Sequence, residues 1–367
     1  MKTEIIKFKI ESLDSLGQGV SKIDDKITFI PKTLPGEEGL ARIVGKKKGI
    51  QFAKVTELSN PSSHREEPAC DHFKECSGCD FLHTSYETEL KTKQASFERL
   101  LSYSQFKDAP VTIHGAPTRI GYRNRIQLHY DLKRKTLGFH KAKSNHIEEV
   151  PGCLLPSLKI QESLKALYEN QSWIKSAPSN APLNGHLELY ELNEEVLCVW
   201  NENYAAAGFS QVNKEMNDLA LQIWKDFYDS CESVESVYDV FGGSGNLTRG
   251  FTASKVTIFD NYCDKSKLSE HQRFHKTDLY KSPEVPDIPA DLVIFDPPRS
   301  GFKETAQWLN DLEPHYVGYQ SCFSDTMIRD LKKIAPHFEA ISIHLLDFFP
   351  GTHHYESIIF LKNNRAN

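Results

Sequence analysis

From about residue 205 onward, short apolar runs alternate with helix-like stretches, and this alternation constrains the fold more than any other feature. The runs are Val237-Tyr238-Asp239-Val240-Phe241, then KVTIFD (255–260), ADLVIFD (290–296), HYVGYQ (315–320) and FEAISIHLLDFF (338–349). A helical pattern over 213–229 precedes the first of them. Most of these runs are apolar at successive positions, so both faces of each strand are expected to be covered. That is the pattern of a doubly wound, mostly parallel sheet with helices on its two sides. The closing ESIIFL is expected to pair antiparallel beside it. In such folds ligands bind beyond the carboxyl ends of the strands, so residues just after each run are the first candidates for chemistry. The predicted fold class is α/β, with a Rossmann-like domain over 205–367.

The front of the chain reads differently. IKFKI, KITFIP, GLARIVG and IQFAKVTEL are short strands separated by Leu16-Gly17-Gln18-Gly19, Asp24-Asp25 and Pro35-Gly36-Glu37. Several short strands in sixty residues predict a small closed barrel of the OB type over 1–60, a common RNA-binding scaffold. Lys46, Lys47 and Lys48 fall in a loop, where they suit either phosphate contact or a solvated turn. The polar stretch from Asn60 to Pro68 marks a boundary, and a helix is expected over 85–102. Strand patterns return between 111 and about 200, including RIQLHYD, LGFHK, HLELYEL and EEVLCVW, and predict an antiparallel central domain over 61–204.

The net charge of −6 argues by itself against a nucleic-acid binder. Its distribution reverses the argument. Residues 1–150 carry 25 Lys and Arg against 20 Asp and Glu, whereas residues 151–367 carry 19 against 30. A basic front half on an acidic body suits a protein that meets a polyanion with one part. No apolar run approaches the roughly 20 residues that span a bilayer, and MKTEIIKFKI lacks the apolar block of a signal peptide. A cytoplasmic enzyme without a membrane partner is the expectation.

Two constellations carry chemistry. Asp239-Val240-Phe241-Gly242-Gly243-Ser244-Gly245-Asn246 joins a strand to a helix-like stretch, where glycines let the backbone turn and approach a ligand. Asp260 ends the next strand, placed for ribose hydroxyls, and Asp278 follows at a position suited to an adenine. Together these point to S-adenosylmethionine, against the plainer reading of a nucleotide-free turn. Asp296 ends a further strand before Pro297 and Pro298, which stop the strand and stiffen its loop. Cys322 follows Tyr319-Gln320-Ser321, either as a buried small side chain or as a nucleophile. Glu356 closes the polar run from Thr352. A thiol with a carboxylate suits one reaction well. Carbon 5 of uracil becomes nucleophilic once a thiolate adds to carbon 6, and a base must later remove the carbon 5 proton.

Taken in order, GFSQVN (208–213), DVFGGSGN (239–246), DPPRSG (296–301), SC (321–322) and FPGTHHYES (349–357) resemble the family of RNA (uracil-5-)-methyltransferases. So do SLGQGV, FIPKTLPGE, GYRNR and GFHKAKSNHIEEVPGC. The resemblance implies a TRAM-type barrel in front. It also implies Cys322 as nucleophile, Glu356 as proton acceptor, and Gln211, Phe241, Asn246, Asp260, Asp278 and Asp296 around S-adenosylmethionine. The chain departs from the family at Asp260, where a Glu is usual, at Gly242, where a Cys is common, and at Phe323-Ser324, where Asn-Pro is usual.

Cys70, Cys76 and Cys79, with Cys153 far downstream, argue for thiolate ligation in a chain without a secretory signal. Iron–sulfur, zinc and free thiols all remain open on spacing, and the resemblance implies a 4Fe–4S cluster. Cys198, Cys231 and Cys263 read as structural or incidental. Arg119, Tyr122, Arg123, Asn124 and Arg125, followed by Lys133, Arg134, Lys135, Lys141 and Lys143, suit phosphate and base contacts on RNA or, equally simply, a solvated hairpin. The expectation is a monomer that methylates a flipped uridine in a loop of 23S ribosomal RNA. A transfer RNA uracil-5-methyltransferase and a family-derived RNA-binding or ribosome-assembly protein without turnover are the alternatives. An iron–sulfur redox protein leaves the Gly-rich turn and the Cys/Glu pair unexplained.

Overall fold

The computed structural model describes residues 4–141, 144–202, 211–281 and 284–365. The chain forms two compact units. One comprises Met1–Lys93, Pro117–Lys214 and Phe349–His353; the other comprises Gln94–Ala116, Glu215–Phe348 and His354–Asn367.

The first unit contains two sheets. Strands β1 (Ile5–Lys9), β2 (Ser12–Leu13), β3 (Gln18–Ile23), β4 (Lys26–Pro31), β5 (Glu38–Lys47) and β6 (Ile50–Asn60) make a curled six-stranded sheet in the order β1-β5-β6-β4-β3-β2. Alternate residues point inward, as a half-buried sheet requires, and Phe8, Ile10, Ile30, Ala41 and Ala53 form its core. The segment that carries Cys70, Cys76 and Cys79 follows without helix or strand. Helix α1 (Tyr86–Leu101) is divided between the units after Lys93, and β7 (Val111–His114) lies in the second. Strands β8 (Arg125–Asp131), β9 (Thr136–His140), β10 (Ile147–Glu148), β11 (Asn184–Leu192) and β12 (Glu195–Trp200) form the second sheet of the first unit. Its order is β10-β9-β8-β11-β12, antiparallel throughout. Helices α2 (Leu158–Tyr168) and α3 (Ser172–Ser176) contribute Ile160, Leu164 and Trp173 to a core shared with Leu128, Tyr130 and Leu187.

The second unit is built on helix α4 (Lys214–Ser230), strands β13 (Ser236–Val240), β14 (Lys255–Asp260), β15 (Gln272–Lys276) and β16 (Leu292–Phe295), helix α5 (Thr305–Leu312), strand β17 (Tyr316–Ser321), helix α6 (Ser324–Leu331), and strands β18 (Phe338–Leu346) and β19 (Glu356–Asn363). The sheet order is β15-β14-β13-β16-β17-β19-β18-β7. Strands β13 to β17 run parallel, while β19 returns antiparallel between β17 and β18. The central strands β16 and β17 are buried at every position; β16 is apolar throughout, whereas β17 also buries Gln320 and Ser321. The result is a largely parallel α/β sheet with one antiparallel strand set between its neighbours.

Two elements depart from the sequence expectation. Strand β7, assigned with the central strands, instead pairs parallel to β18, from Val111 beside Ile343 to His114 beside Leu346. A four-residue strand carries too little pattern to choose its sheet; the open edge of β18 chooses it. Strand β15, QRFHK, was not anticipated because an edge strand need not be apolar. Among the described residues no helix is long and apolar enough to cross a membrane.

The packing of β17 gives a stability test. A Cβ at Gly318 would lie 2.3 Å from the ring of Trp224. Trp224 is fully buried, stacks edge-on with Phe227 and Phe360, and donates its indole N–H to Gln320 at 2.8 Å. Gly318→Ala should therefore cost about 1–3 kcal/mol through overpacking. Urea denaturation checks this, and an unchanged midpoint would contradict it.

Candidate active site

Strand register assembles the site in the second unit. Val240 pairs with Phe259 on one side and Phe295 on the other, and Phe295 pairs with Tyr319. The next residues along these strands, Phe241, Asp260, Asp296 and Gln320, therefore end at one edge of the sheet. Strand β19 runs the opposite way with Ser321 beside Ser357, so its first residue, Glu356, stands opposite Cys322. Residues far apart in sequence thus meet because the last strand is antiparallel to its neighbour.

Electrostatics make the meeting costly. Glu356 is only 5% exposed. Burial, and then the carboxylate of Asp296, raise its pKa well above the usual carboxylate range, while Arg299 opposes the shift. Burial and the Glu356 carboxylate push the Cys322 thiol up to about 11; Arg299 again opposes, both by its charge and by a hydrogen bond, and Asp296 adds to the rise. Asp296 itself is raised to about 7 by burial and by Asp239 and Asp260. Asp239 is fully buried and likewise raised to about 7, chiefly by burial. The arrangement is a group of crowded acids around one half-buried thiol, with Arg299 as the cation that moderates it. Arg299 and Asp239 were not singled out from the sequence, although both lie inside the quoted motifs. Their role depends on neighbours that only the sheet supplies.

The Gly-rich turn closes this edge. Phe241, Gly243 and Gly245 have φ of 65°, 53° and 70°, a conformation that glycine takes without strain and Phe241 does not. A Cβ at Gly242 would fall 2.4 Å from the Asp239 carboxyl carbon, so this backbone leaves no room for a side chain there. Thr248 donates to Asp239 at 2.8 Å, and Gln272 holds both Thr248 Oγ1 and the Gly245 carbonyl. Asp260 accepts from the Gly243 N–H at 3.0 Å and from its own neighbour Asn261 at 2.7 Å, so it helps to set the turn. Asn246 donates to Asn217 at 3.0 Å. Asp278 pairs with Lys281 at 3.0 Å and accepts from the Tyr280 N–H; the Tyr280 ring lies 5.4 Å from that of Phe241. Phe241, Asn246, Asp260, Asp278, Asp296, Cys322 and Glu356 all belong to the second unit, whereas Gln211 belongs to the first. There its backbone carbonyl accepts from Asn124 at 2.9 Å. Residues 208–210 of the GFSQVN stretch lie outside the described residues.

The Phe323-Ser324 departure has a structural account. Ser324 is buried, and its hydroxyl lies 2.9 Å from that of Ser357, tying the start of α6 to β19. Phe323 is exposed.

In the first unit, Cys70, Cys76, Cys79 and Cys153 line one cavity with Phe73, Leu82, Arg123, Ile126, Phe139 and Val150. Burial raises the thiols of Cys76, Cys79 and Cys153, the last to about 11, and neighbouring cysteines of the same cavity add to each shift. Two cations counter them. Arg123, hydrogen-bonded to Tyr122 at 3.1 Å, acts on Cys79 and Cys153. Lys32 donates to the carbonyls of Phe73 and, at 2.6 Å, Cys76. Among the described residues no group of three or more His, Cys, Asp or Glu is placed to hold a metal ion, and the four cysteines do not form one.

The arginines expected at RNA are used internally. Arg119 pairs with Glu89 at 2.8 Å and donates to the carbonyls of Thr84 and Phe81. Arg125 is 4% exposed beside Glu188, and Arg123 faces the cysteine cavity. A buried charge must be paired, and sequence spacing does not reveal whether its partner is a phosphate or a carboxylate of the same chain. Lys133, Arg134 and Lys135 do lie exposed, in the turn between β8 and β9; Lys141 pairs with Glu148 at 2.8 Å, and Lys143 is outside the described residues.

Comparison with known proteins follows the same lines. Residues 265–364 match the family model described as tRNA (Uracil-5-)-methyltransferase. The 23S rRNA (uracil(1939)-C(5))-methyltransferase of Shewanella woodyi is 26% identical, over 96% of this chain and 95% of its own length. That of Salmonella choleraesuis is 27% identical over 98% and 96%. An uncharacterised RNA methyltransferase of Bdellovibrio bacteriovorus is 29% identical over 97% and 95%. In fold, the Pyrococcus abyssi tRNA (uracil-54, C5)-methyltransferase, crystallised with S-adenosyl-L-homocysteine, matches with a TM-score of 0.70 at 20% identity, covering 97% of this chain and all of that one.

A thiol held near 11 is mostly protonated at neutral pH, so the Cys322 thiolate fraction grows as pH rises toward that value. Its alkylation by iodoacetamide, followed on the Cys322 peptide by mass spectrometry, should climb about tenfold per pH unit between 7 and 9. Arg299→Gln removes the opposing charge and should slow alkylation at each pH. A plateau below pH 9, or faster alkylation in the variant, would contradict this electrostatic picture.

Proposed function

We propose that this chain, which belongs to the RNA (uracil-5-)-methyltransferase family, methylates carbon 5 of a uridine in 23S ribosomal RNA. The observation that carries the reading is the register of β17 and β19, which sets Cys322 beside Glu356 next to Asp296. The ribosomal substrate comes from the relatives that act on 23S rRNA and align along nearly the whole chain.

The residues fit S-adenosylmethionine. That molecule carries a sulfonium and an ammonium, and the crowded carboxylates of Asp239, Asp260 and Asp296 are relieved by a cationic ligand. Phe241, Asn246, Asp260, Asp278 and Asp296 are the residues proposed to hold it. When bound, it supplies an electrophilic methyl group. Cys322, as thiolate, adds to carbon 6 of the uracil, and the ring electrons move onto the carbon 4 oxygen. The resulting enolate takes the methyl group at carbon 5. Glu356, as carboxylate, then accepts the carbon 5 proton; the double bond re-forms and the thiolate leaves. Its raised pKa makes Glu356 a stronger base than a solvent-exposed carboxylate, once deprotonated. Arg299 favours the thiolate that begins and ends the cycle. Because a stacked base is out of reach, the uridine is extruded from its loop.

The remaining parts are assigned in keeping with this reading. Residues 1–60 form a TRAM-type RNA-binding barrel, 61–93 and 117–204 the cysteine-bearing central domain, and 205–367 together with 94–116 the catalytic domain of a cytoplasmic monomer. The four cysteines hold a 4Fe–4S cluster. Such a cluster would be held by four thiolates, and Cys70, Cys76, Cys79 and Cys153 line one cavity. Lys32 and Arg123 offset its negative charge. Methyl transfer needs no electron, so the cluster serves to fasten the 70–79 loop to Cys153.

Two experiments test these assignments. With 23S rRNA transcribed with 5-fluorouridine, the protein should form a covalent RNA adduct that Cys322→Ala abolishes, since a base cannot remove fluorine. Glu356→Gln should still form the adduct and transfer one methyl group, with turnover on normal RNA lowered about 10²–10⁴-fold. An adduct in Cys322→Ala, or normal turnover in Glu356→Gln, would refute the roles. Anaerobically purified protein should hold about four irons and four sulfides per chain, lost in Cys76→Ser; a single zinc, or iron unaffected by the substitution, would refute the cluster.

A further inference from the structure

We propose that Phe323 is a base-stacking platform that determines how tightly RNA is held at the nucleophile. The inference rests on the uridine methyltransferase reading and adds the residue that recognises the RNA at that site. Phe323 directly follows Cys322, and the residue is 42% exposed. Its backbone, by contrast, is held firmly. The Phe323 N–H donates to Ser321 Oγ at 3.0 Å, and the Phe323 carbonyl accepts from the Ser321 hydroxyl at 3.0 Å, the Thr326 N–H at 3.0 Å and the Thr326 hydroxyl at 2.8 Å. These bonds make Phe323 the N-terminal cap residue of α6, with φ −146° and ψ 90°. The ring is therefore presented from a fixed stem, and it takes part in no ring–ring pair of this unit among the described residues. Arg299, also exposed, lies close enough to the same thiol to act on it by charge and by hydrogen bonding. An exposed aromatic residue and an exposed arginine near one nucleophile suit single-stranded nucleic acid, whose bases stack on rings while its phosphates meet cations. Extruding a uridine leaves the adjoining base without its neighbour, and a rigid aromatic face at the mouth of the site replaces that lost stack.

The test uses the full chain, 23S rRNA transcripts and the variants Phe323→Ala, Phe323→Leu and Phe323→Tyr. Because the side chain is exposed, all three should unfold at the wild-type temperature. Removal of one base–aromatic stack should raise KM about ten- to a hundredfold in Phe323→Ala. Phe323→Leu, apolar but without a ring face, should behave like Phe323→Ala, and Phe323→Tyr should stay within about threefold of wild type. In all three kcat and the rate of 5-fluorouridine adduct formation at saturating RNA should be little changed. A KM within threefold of wild type in Phe323→Ala, or full rescue by Phe323→Leu, would overturn the proposal; so would a loss confined to kcat. Absence of any adduct with the wild-type chain would instead overturn the methyltransferase reading on which it rests.

Discussion

The antiparallel return of β19 beside β17 is the constraint on which the candidate site depends. In a purely parallel sheet, chemistry gathers where strands end, and each strand contributes one such position. Here the last strand begins where its neighbour ends, with Ser357 beside Ser321, so a residue that opens a strand joins residues that close strands. Cys322 and Glu356 are adjacent for this reason alone. A one-residue slip would turn Glu356 to the other face and separate the pair. The burial of β17 and β19, and the fit of Gly318 under Trp224, oppose such a slip.

That adjacency has an electrostatic cost that the protein distributes over several residues. Asp239, Asp260, Asp296 and Glu356 are crowded, and three of them have raised pKa values. Arg299 is the cation that offsets the effect at the thiol. A positively charged methyl donor relieves the rest on the proposed reading, which gives the acids a purpose beyond contact with hydroxyls. The cysteine cavity of the first unit follows the same logic, with Lys32 and Arg123 set against buried thiols.

Much of this was legible in the sequence where a residue's role follows from strand order. The runs KVTIFD, ADLVIFD and HYVGYQ announced buried parallel strands, and Asp260, Asp296 and Cys322 lie at their ends because that is where such runs stop. Roles that depend on a partner across the fold were not legible. Arg119 and Arg125 look like RNA contacts until Glu89 and Glu188 are found beside them. Arg299 looks like a loop residue until the thiol is placed next to it. Strand β7 could not be assigned because four residues do not encode which sheet edge they meet. Gly242 is the instructive departure: the buried Asp239 carboxyl occupies the space of any side chain there, so the neighbour's conformation and not the local motif explains the glycine.

The central claim is that this chain makes 5-methyluridine in ribosomal RNA. The most direct measurement is reaction of the purified full chain with methyl-labelled S-adenosylmethionine and unmodified 23S rRNA, followed by digestion and nucleoside mass spectrometry. The account predicts label in 5-methyluridine, at uridine and no other base. Label in a different nucleoside, or none from a protein that binds both the cofactor and the RNA, would contradict it.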